Sequence, residues 1–374
     1  MKKILCVCLC IALLPLSGCY DGHEIEQKAY VVAMGIDKGE TAPLAVTYAF
    51  ADPGKAWSGG EEGGGGGGEE SGPTINVTVE AQDIFSALDE AGARIGKEGT
   101  LSHMVLALFS EEIATHGLDG VAASFMRDLK SRPKINLAVC AQPCADYLKA
   151  IRPQLESNPE RYLKQAFSHQ TGMPMPGTTL YEFYTKCVLS GEAGMLPIAA
   201  KADEEDAPGR TGMDGMAYFN GGRMIGRGEN EDAFYYLLLQ GGTFRTHVTV
   251  QEGERVAVFD VRRTEKPAVR VIKGTPDRVL VTLKVDGAPV SDTAGFSDTQ
   301  EERRFLTHYL NEGIKAYLEK TAYSVGDLFG FGRAARRNFI TWQEWERYDW
   351  GDRYPFARFS VETDVTVQRN GLVE

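Results

Sequence analysis

The feature that most constrains the fold is an alternation of two hydrophobic periods along the first 150 residues. Ala29 to Ile36 and Pro43 to Phe50 are strand-like, and Ile75, Val77 and Val79 alternate with polar residues at the period of two that places every second side chain on one face. In AQDIFSALDEAGARIGK the period changes, and Ile84, Phe85, Leu88, Ala91 and Ile95 fall on one helical face. A strand, HMVLALF, follows, then a helical stretch from Glu111 to Lys130, a strand at Ile135, Leu137 and Val139, and a helix from about Ala145. This β-α-β-α-β-α order predicts a mixed α/β layer with helices packed on a sheet.

ADEEDAPGRTG, residues 202–212, concentrates charge, proline and glycine and predicts a domain boundary. Beyond it, GMAYFNGGRMIGRGENEDAFYYLLLQGG reads as a small hairpin-and-helix module turning at Asn220-Gly221. Strands near Arg245 to Val250, Arg255 to Arg262, Ala268 to Lys273 and Arg278 to Val285 then precede one long helix. Ser297 and Gln300 form a capping-box pattern ahead of an apolar face built from Phe305, Leu306, Tyr309, Leu310, Ile314, Tyr317 and Leu318. The expected product is an antiparallel sheet with a packed helix. TWQEWERYDW places three tryptophans ahead of a final strand, Ala357 to Gln368; they read as core and helix–sheet seam, with an exposed partner surface as the alternative.

The fold class expected is therefore α/β and α+β, multidomain, with mixed sheets each packed with helices. The predicted divisions are 1–18, a cleaved signal peptide; 19–200, an N-terminal mixed α/β domain carrying a Gly-rich loop at 54–73; 211–243, a small middle domain; and 244–374, a C-terminal α+β domain. The Gly-rich loop has six consecutive glycines flanked by Glu61, Glu62, Glu69 and Glu70, so it gains little from ordering and its charges repel. It has no lysine inside the glycine run, and its carboxylates would repel a phosphate, which argues against a phosphate cradle.

The N-terminus carries a second strong signal. Lys2 and Lys3 precede an apolar run from Ile4 to Leu16, too short for a span that needs roughly 20 helical residues, so it reads as an export signal. Leu16-Ser17-Gly18-Cys19 is a bacterial lipobox, in which the Cys19 sulfur takes a diacylglyceryl group and becomes the first residue of the mature chain. Two acyl chains of the palmitate type, unlike one, can hold a protein stably on a bilayer. The chain has 40 Lys and Arg against 52 Asp and Glu, and loss of Lys2 and Lys3 with the signal makes the mature chain more acidic still. That balance disfavours nucleic acid and anionic headgroups as partners, so the membrane contact is assigned to the lipid and to protein neighbours.

After the signal, Cys140, Cys144 and Cys187 are the remaining cysteines, too few for a disulfide framework, and no His or further Cys stands near them at zinc-site spacing. They read as buried free thiols, with no metal or cofactor assigned. His23, His103, His116, His169, His247 and His308 are widely spaced. There is no G-x-S-x-G, H-E-x-x-H or P-loop lysine motif, and FGFGR, at Phe329 to Arg333, follows a helix rather than a strand, so Gly330 and Gly332 read as turn positions.

Several separated segments together resemble one family. LSGCYDGHEIEQKAYVVAMGID is similar to the opening of the Ger(x)C spore germination lipoproteins, in which the lipobox Cys precedes an aromatic, an Asp, an acidic-apolar pair and a strand ending in Gly-Ile-Asp. Those positions here are Cys19, Tyr20, Asp21, Glu24, Ile25, Gly35, Ile36 and Asp37. LSHMVLALFSEEIATHGLDGVAASFMRDLKSRPKINLAVC, with Arg127 and Asp128, resembles the middle of the family's first domain, and DLFGFGRAARRNFITWQEWERYDWGDRYPFARFSVETDVTVQRNGLV its C-terminal signature. The resemblance implies the C subunit of a nutrient germinant receptor, lipid-anchored on the outer face of the spore inner membrane beside membrane-embedded A and B subunits. It further implies three mixed α/β domains and no catalysis. The other classes weighed are a lipid-anchored solute-binding protein with two similar lobes and a cell-wall hydrolase with a paired-carboxylate or metal site.

Deleting Gly59 to Ser71 while keeping a short linker is expected to change stability by less than about 1 kcal/mol, because loop closure scales only with the logarithm of length. Urea unfolding of the deletion variant checks this.

Overall fold

The computed structural model describes residues 27–52, 74–128, 132–151, 158–167, 176–201, 211–241, 244–292 and 295–367. The signal with Cys19, the Gly-rich loop and the acidic break at 202–210 lie outside them.

Ten strands form the first sheet. At one side, β1 (Lys28–Lys38), β2 (Leu44–Ala51) and β3 (Thr74–Ala81) make an antiparallel meander. Short β4 (Glu98–Thr100) and β5 (Leu106–Ser110) run parallel to β1, and β6 (Asn136–Cys140) parallel to β5. A two-residue β7 (Thr178–Thr179) and the parallel β8 (Ala193–Lys201) join β6, and the antiparallel hairpin of β9 (Thr211–Asn220) and β10 (Arg223–Gly228) closes the far side. The parallel centre, β1, β5, β6 and β8, reads as continuous apolar runs such as LALF and GMLPIA because helices cover both its faces.

One face holds α1 (Ile84–Ile95), whose Ile84, Leu88 and Ala91 are buried as the spacing predicts, with Phe85 and Ile95 of that face partly buried and Ala87 buried beside them. Asp83 caps its first turn and Gly96, at φ 71°, ends it. The stretch expected as one helix from Glu111 to Lys130 is two, α2 (Glu111–His116) and α3 (Asp119–Arg127). Gly117 takes φ 124° between them, and the Leu118 N–H leaves the helical ladder to donate to Gly222 O at 2.8 Å. The other face holds α4 (Cys144–Ala150) and α5 (Pro159–Ala166). On the first face, α6 (Leu180–Phe183) runs on into a π-helical turn, Tyr184–Leu189.

Gly35-Ile36-Asp37 in β1 locks α4 onto the sheet. A Cβ on Gly35 would lie 2.4 Å from the Cys144 Cβ, so the helix reaches the strand only over glycine. Asp37 accepts the N–H groups of Cys144 at 2.9 Å and Ala145 at 3.2 Å. As α4 has no side-chain cap from its own flank, its first turn is capped by a strand more than a hundred residues earlier.

The residues expected to form a middle unit, 211–243, are shared between two cores. The β9–β10 hairpin pairs along β8, because β8 would otherwise leave an open edge, while α7 (Asn230–Leu239) enters the core of the second sheet. Nearly every side chain from Asp232 to Leu239 is buried, as an apolar run without a polar face requires.

The second sheet has five strands: β11 (Phe244–Glu252), β12 (Arg255–Arg263), β13 (Ala268–Ile272), β14 (Arg278–Asp292) and β15 (Arg358–Val367). Long β14 takes β15 along one edge while β13 and then β12 follow one another along the other. This sheet was expected to be antiparallel; it is mixed, since β15 runs parallel to β14. The reason is the crossover: α8 (Thr299–Ser324) and the short α9 (Gly332–Arg336), α10 (Trp342–Tyr348) and α11 (Trp350–Arg353) carry the chain back to the end where β14 began. Phe305, Leu306, Leu310, Ile314, Tyr317 and Leu318 of α8 fill the core, but its cap lies one residue later than the expected Ser297 and Gln300 pair. Asp298 accepts from Glu301 N at 2.7 Å, and the Glu301 carboxylate reaches back to Ser297 N at 2.9 Å. Among the described residues no helix is long and apolar enough to cross a membrane.

Asp37→Ala is expected to cost about 1–2 kcal/mol, the range for a lost helix cap, and Gly35→Ala about 1–3 kcal/mol through overpacking against α4. Urea unfolding of the two variants measures both.

Candidate functional site

The candidate lipidation residue, Cys19, lies outside the described residues; in sequence it stands shortly before β1 of the large sheet. Cys140, Cys144 and Cys187 are free and buried. Burial pushes the Cys144 thiol well above its ordinary value and the Cys187 thiol to about 12, so neither supplies a nucleophilic thiolate. The described histidines stay apart: His103 sits edge-on to Tyr30 at 4.8 Å and 3.3 Å from Glu160, His116 ends α2, and His247 and His308 lie on β11 and α8.

The richest arrangement is the stretch from Asp327 to Phe359. Asp327 accepts the N–H groups of Phe331 at 2.8 Å and Gly332 at 2.6 Å, and the indole N–H of Trp350 at 2.9 Å. A Cβ on Gly332 would sit 2.9 Å from the Trp350 ring, and Gly330 takes φ 69°. Gly330 is therefore the turn position that the sequence predicted, whereas Gly332, expected in a turn, opens α9 and permits the close approach of Trp350. Trp350 and Tyr354 pack at 5.2 Å, and Tyr354 meets Phe359 of β15 edge-on at 5.6 Å. The three tryptophans expected at the seam are graded: Trp350 is buried, Trp345 half-buried and Trp342 61% exposed beside Ile340, which is 95% exposed.

A second anchor ties the same segment to the sheet. Asp277, fully buried, faces Arg353, whose Nε and Nη2 lie 2.9 and 3.2 Å from its two oxygens. Gly274 N donates to the same carboxylate at 2.8 Å, and Arg353 donates to Gly274 O at 2.5 Å. Burial works to raise the Asp277 carboxyl, but these donors outweigh it and hold it below the usual carboxylate range. The Tyr348 ring lies 4.5 Å over the Arg353 guanidinium, and the Lys273 ammonium 4.2 Å over Phe339.

These anchored residues face the first sheet across a seam. A cleft of about 820 Å³ lies between Glu192 and Asn220 on one side and Arg333, Trp342 and Trp350 on the other. An adjoining cleft of about 470 Å³ is crossed by Lys186, whose ammonium donates to Leu328 O at 2.5 Å. Sequence reasoning missed Lys186, Arg353 and Asp277 as partners because each pairing joins residues more than seventy positions apart. Arg127 and Asp128 of the expected signature line a groove beside α1 and do not face this seam.

Two unequal sheets joined by one buried helix, with a pinned aromatic C-terminal segment, define a multidomain α/β and α+β protein. A model of the spore germination protein N-terminal domain matches residues 21–201, and one described as spore germination B3/GerAC like, C-terminal, matches 214–371. Spore germination protein KC of Bacillus subtilis (strain 168) is 20% identical over 398 residues, covering 99% of this chain and 96% of that one. Spore germination protein YndF of the same organism is 22% identical over 403 residues, covering 98% and 96%. The crystal structure of the GerBC protein superposes with a TM-score of 0.53 at 12% identity, over 89% of this chain and 96% of that one, and so shares the fold. This chain belongs to the Ger(x)C, or GerAC-type, family of spore germination proteins.

Asp277→Asn is expected to destabilise the chain by about 2–3 kcal/mol at pH 7, the low end for breaking a buried pair because Arg353 keeps contact with water. The Asp277 carboxyl is depressed by folding, so its contribution is present above about pH 4 and lost as pH falls through the folded value. Urea unfolding at several pH values should show the two proteins converging on the acid side.

Proposed function

We propose that this chain is the noncatalytic, lipid-anchored C subunit of a spore germinant receptor, held on the outer face of the spore inner membrane beside membrane-embedded A and B subunits. The observation that carries the reading is the pair of spore germination domains matched in order from residue 21 to 371, directly behind a complete lipobox. Cys19 is the residue to which the diacylglyceryl group is attached.

The chemistry of the described residues supports a scaffold or transducing role. A general acid needs a carboxyl raised toward neutrality. The described carboxyls displaced from their ordinary range, Glu80, Asp83, Asp260, Asp277, Glu301 and Glu344, are all held below it. Most of them are spent on backbone: Glu80, lowered to about 2, takes the Glu40, Thr41 and Ala42 N–H groups as well as the Thr41 hydroxyl. The two sheets, ten strands against five, do not form the similar lobes of a solute-binding protein.

Cys19→Ala removes the sulfur that accepts the lipid, and the acidic mature surface offers no substitute attraction to an anionic bilayer. The variant is expected to leave the membrane fraction of dormant spores and to impair nutrient-triggered germination while its circular dichroism stays unchanged. A cleaved variant that still sediments with membrane and supports germination would show that the lipid is dispensable. Cell-wall cleavage by the purified protein, abolished by one carboxylate substitution, would overturn the noncatalytic assignment.

A further inference from the structure

Two cations meet at the seam, Lys186 from the first sheet's side and Arg333 from the second's, and neither makes an ion pair among the described residues. Lys186 sits in the π-helical turn after α6 and spends one N–H on Leu328 O. Arg333 lies flat across Gly330, where a Cβ would come within 2.5 Å of its Nη2, and its guanidinium donates to no acceptor among the described residues. Burial pulls the Lys186 ammonium below its ordinary value; Cys187, Glu192 and Asp327 act to raise it, and Arg333 to lower it further. Bringing a partly desolvated ammonium beside an unsatisfied guanidinium is unfavourable unless an anion joins them.

The protein's own carboxylates are mostly committed elsewhere. Asp327 is taken up by Phe331 N, Gly332 N and the Trp350 indole, and Glu182 by the Thr179 N–H at 2.9 Å and hydroxyl at 2.8 Å. Glu192 is the remaining carboxylate of the cleft; since Glu182 keeps its charge through those hydrogen bonds, the formal charges of Lys186, Arg333, Glu182 and Glu192 sum to zero. Met195, Tyr236, Leu239 and Phe329 give the same cleft, about 470 Å³, its apolar wall.

We propose that this cleft binds a small monocarboxylate with an apolar body, its carboxylate seated between Lys186 and Arg333. A single negative charge adds least to a cleft whose formal charges already balance, where a phosphate dianion would add two. The planar guanidinium offers two parallel N–H donors to a carboxylate, and the apolar wall takes the rest of the molecule. Because the two cations belong to different sheets, an occupied cleft ties the sheets together. The proposal goes beyond the receptor role and does not depend on it.

The test uses the full-length protein in detergent, with benzoate as probe and neutral benzamide as its isostere, at constant ionic strength. Benzoate is expected to raise the thermal midpoint saturably and benzamide to leave it in place. Arg333→Gln and Lys186→Gln each weaken benzoate, measured by titration calorimetry, by roughly tenfold or more, the worth of a charge-assisted hydrogen bond. Glu192→Gln, which removes the competing carboxylate, tightens it. Should Lys186→Gln lose its fold with the Leu328 bond, Arg333→Gln carries the test alone. Equal binding of benzamide, benzoate binding untouched by Arg333→Gln, or no saturable binding below about 10 mM would each overturn the proposal.

Discussion

The structure depends on how α7 is held at both ends inside a dry core. A buried helix presents its last carbonyls to an interior that has no water for them. Arg263 of β12, itself buried, answers this by donating one Nη1 to the carbonyls of Leu237, at 2.6 Å, Leu238, at 2.9 Å, and Gln240. Burial lowers the Arg263 pKa from its ordinary value, yet a guanidinium stays charged where a lysine would be at risk of neutralising. At the other end, Asp232 takes Glu229 N at 3.1 Å and the Lys320 ammonium at 2.9 Å, while Tyr218 of β9 reaches Tyr317 of α8 at 3.3 Å. One ten-residue helix thus fastens the edge of the first sheet to the core of the second.

The rest of the seam follows from that fastening. With α7 fixed, the π-helical turn and the Asp327 turn are brought face to face, and the clefts are the space left between surfaces that do not fully complement one another. Asp327 ties together the two ends of the C-terminal side of that space, and Arg353 binds it to the connection between β13 and β14. The same anchoring lets the aromatic segment show Ile340, Trp342 and Phe356 to solvent without collapsing onto the core.

How much of this was legible in the sequence follows from range. Strands, the face of α1 and the long α8 were readable because their periodicity is local, and so was the turn role of Gly330, whereas Gly332 opens α9 instead of a turn. The Ger(x)C signature at Gly35 and Asp37 was readable as a pattern but not as a mechanism, since its partners, Cys144 and Ala145, come much later in the chain. The direction of β15 was missed for the same reason: four strands in hairpin order suggest an antiparallel sheet, and only the crossover geometry reverses the last one. The break at Gly117 was hidden because a glycine inside a helical pattern is silent until a distant carbonyl, here Gly222, draws the next N–H away. Of the seam, the helix of α7 was readable in sequence but not its burial between two cores, and nothing local announced Lys186 as a residue that spans it.

The path of β15 has a bearing on how such a chain assembles as it is made. The large sheet is complete once Gly228 has emerged, whereas β14 waits for its parallel neighbour until the chain has passed Arg358. Over that interval β14, fifteen residues long, has its β15 edge unpaired. Synthesis from the N-terminus therefore yields a finished first sheet carrying a half-built second one, and an open apolar strand edge is a template for pairing with another chain.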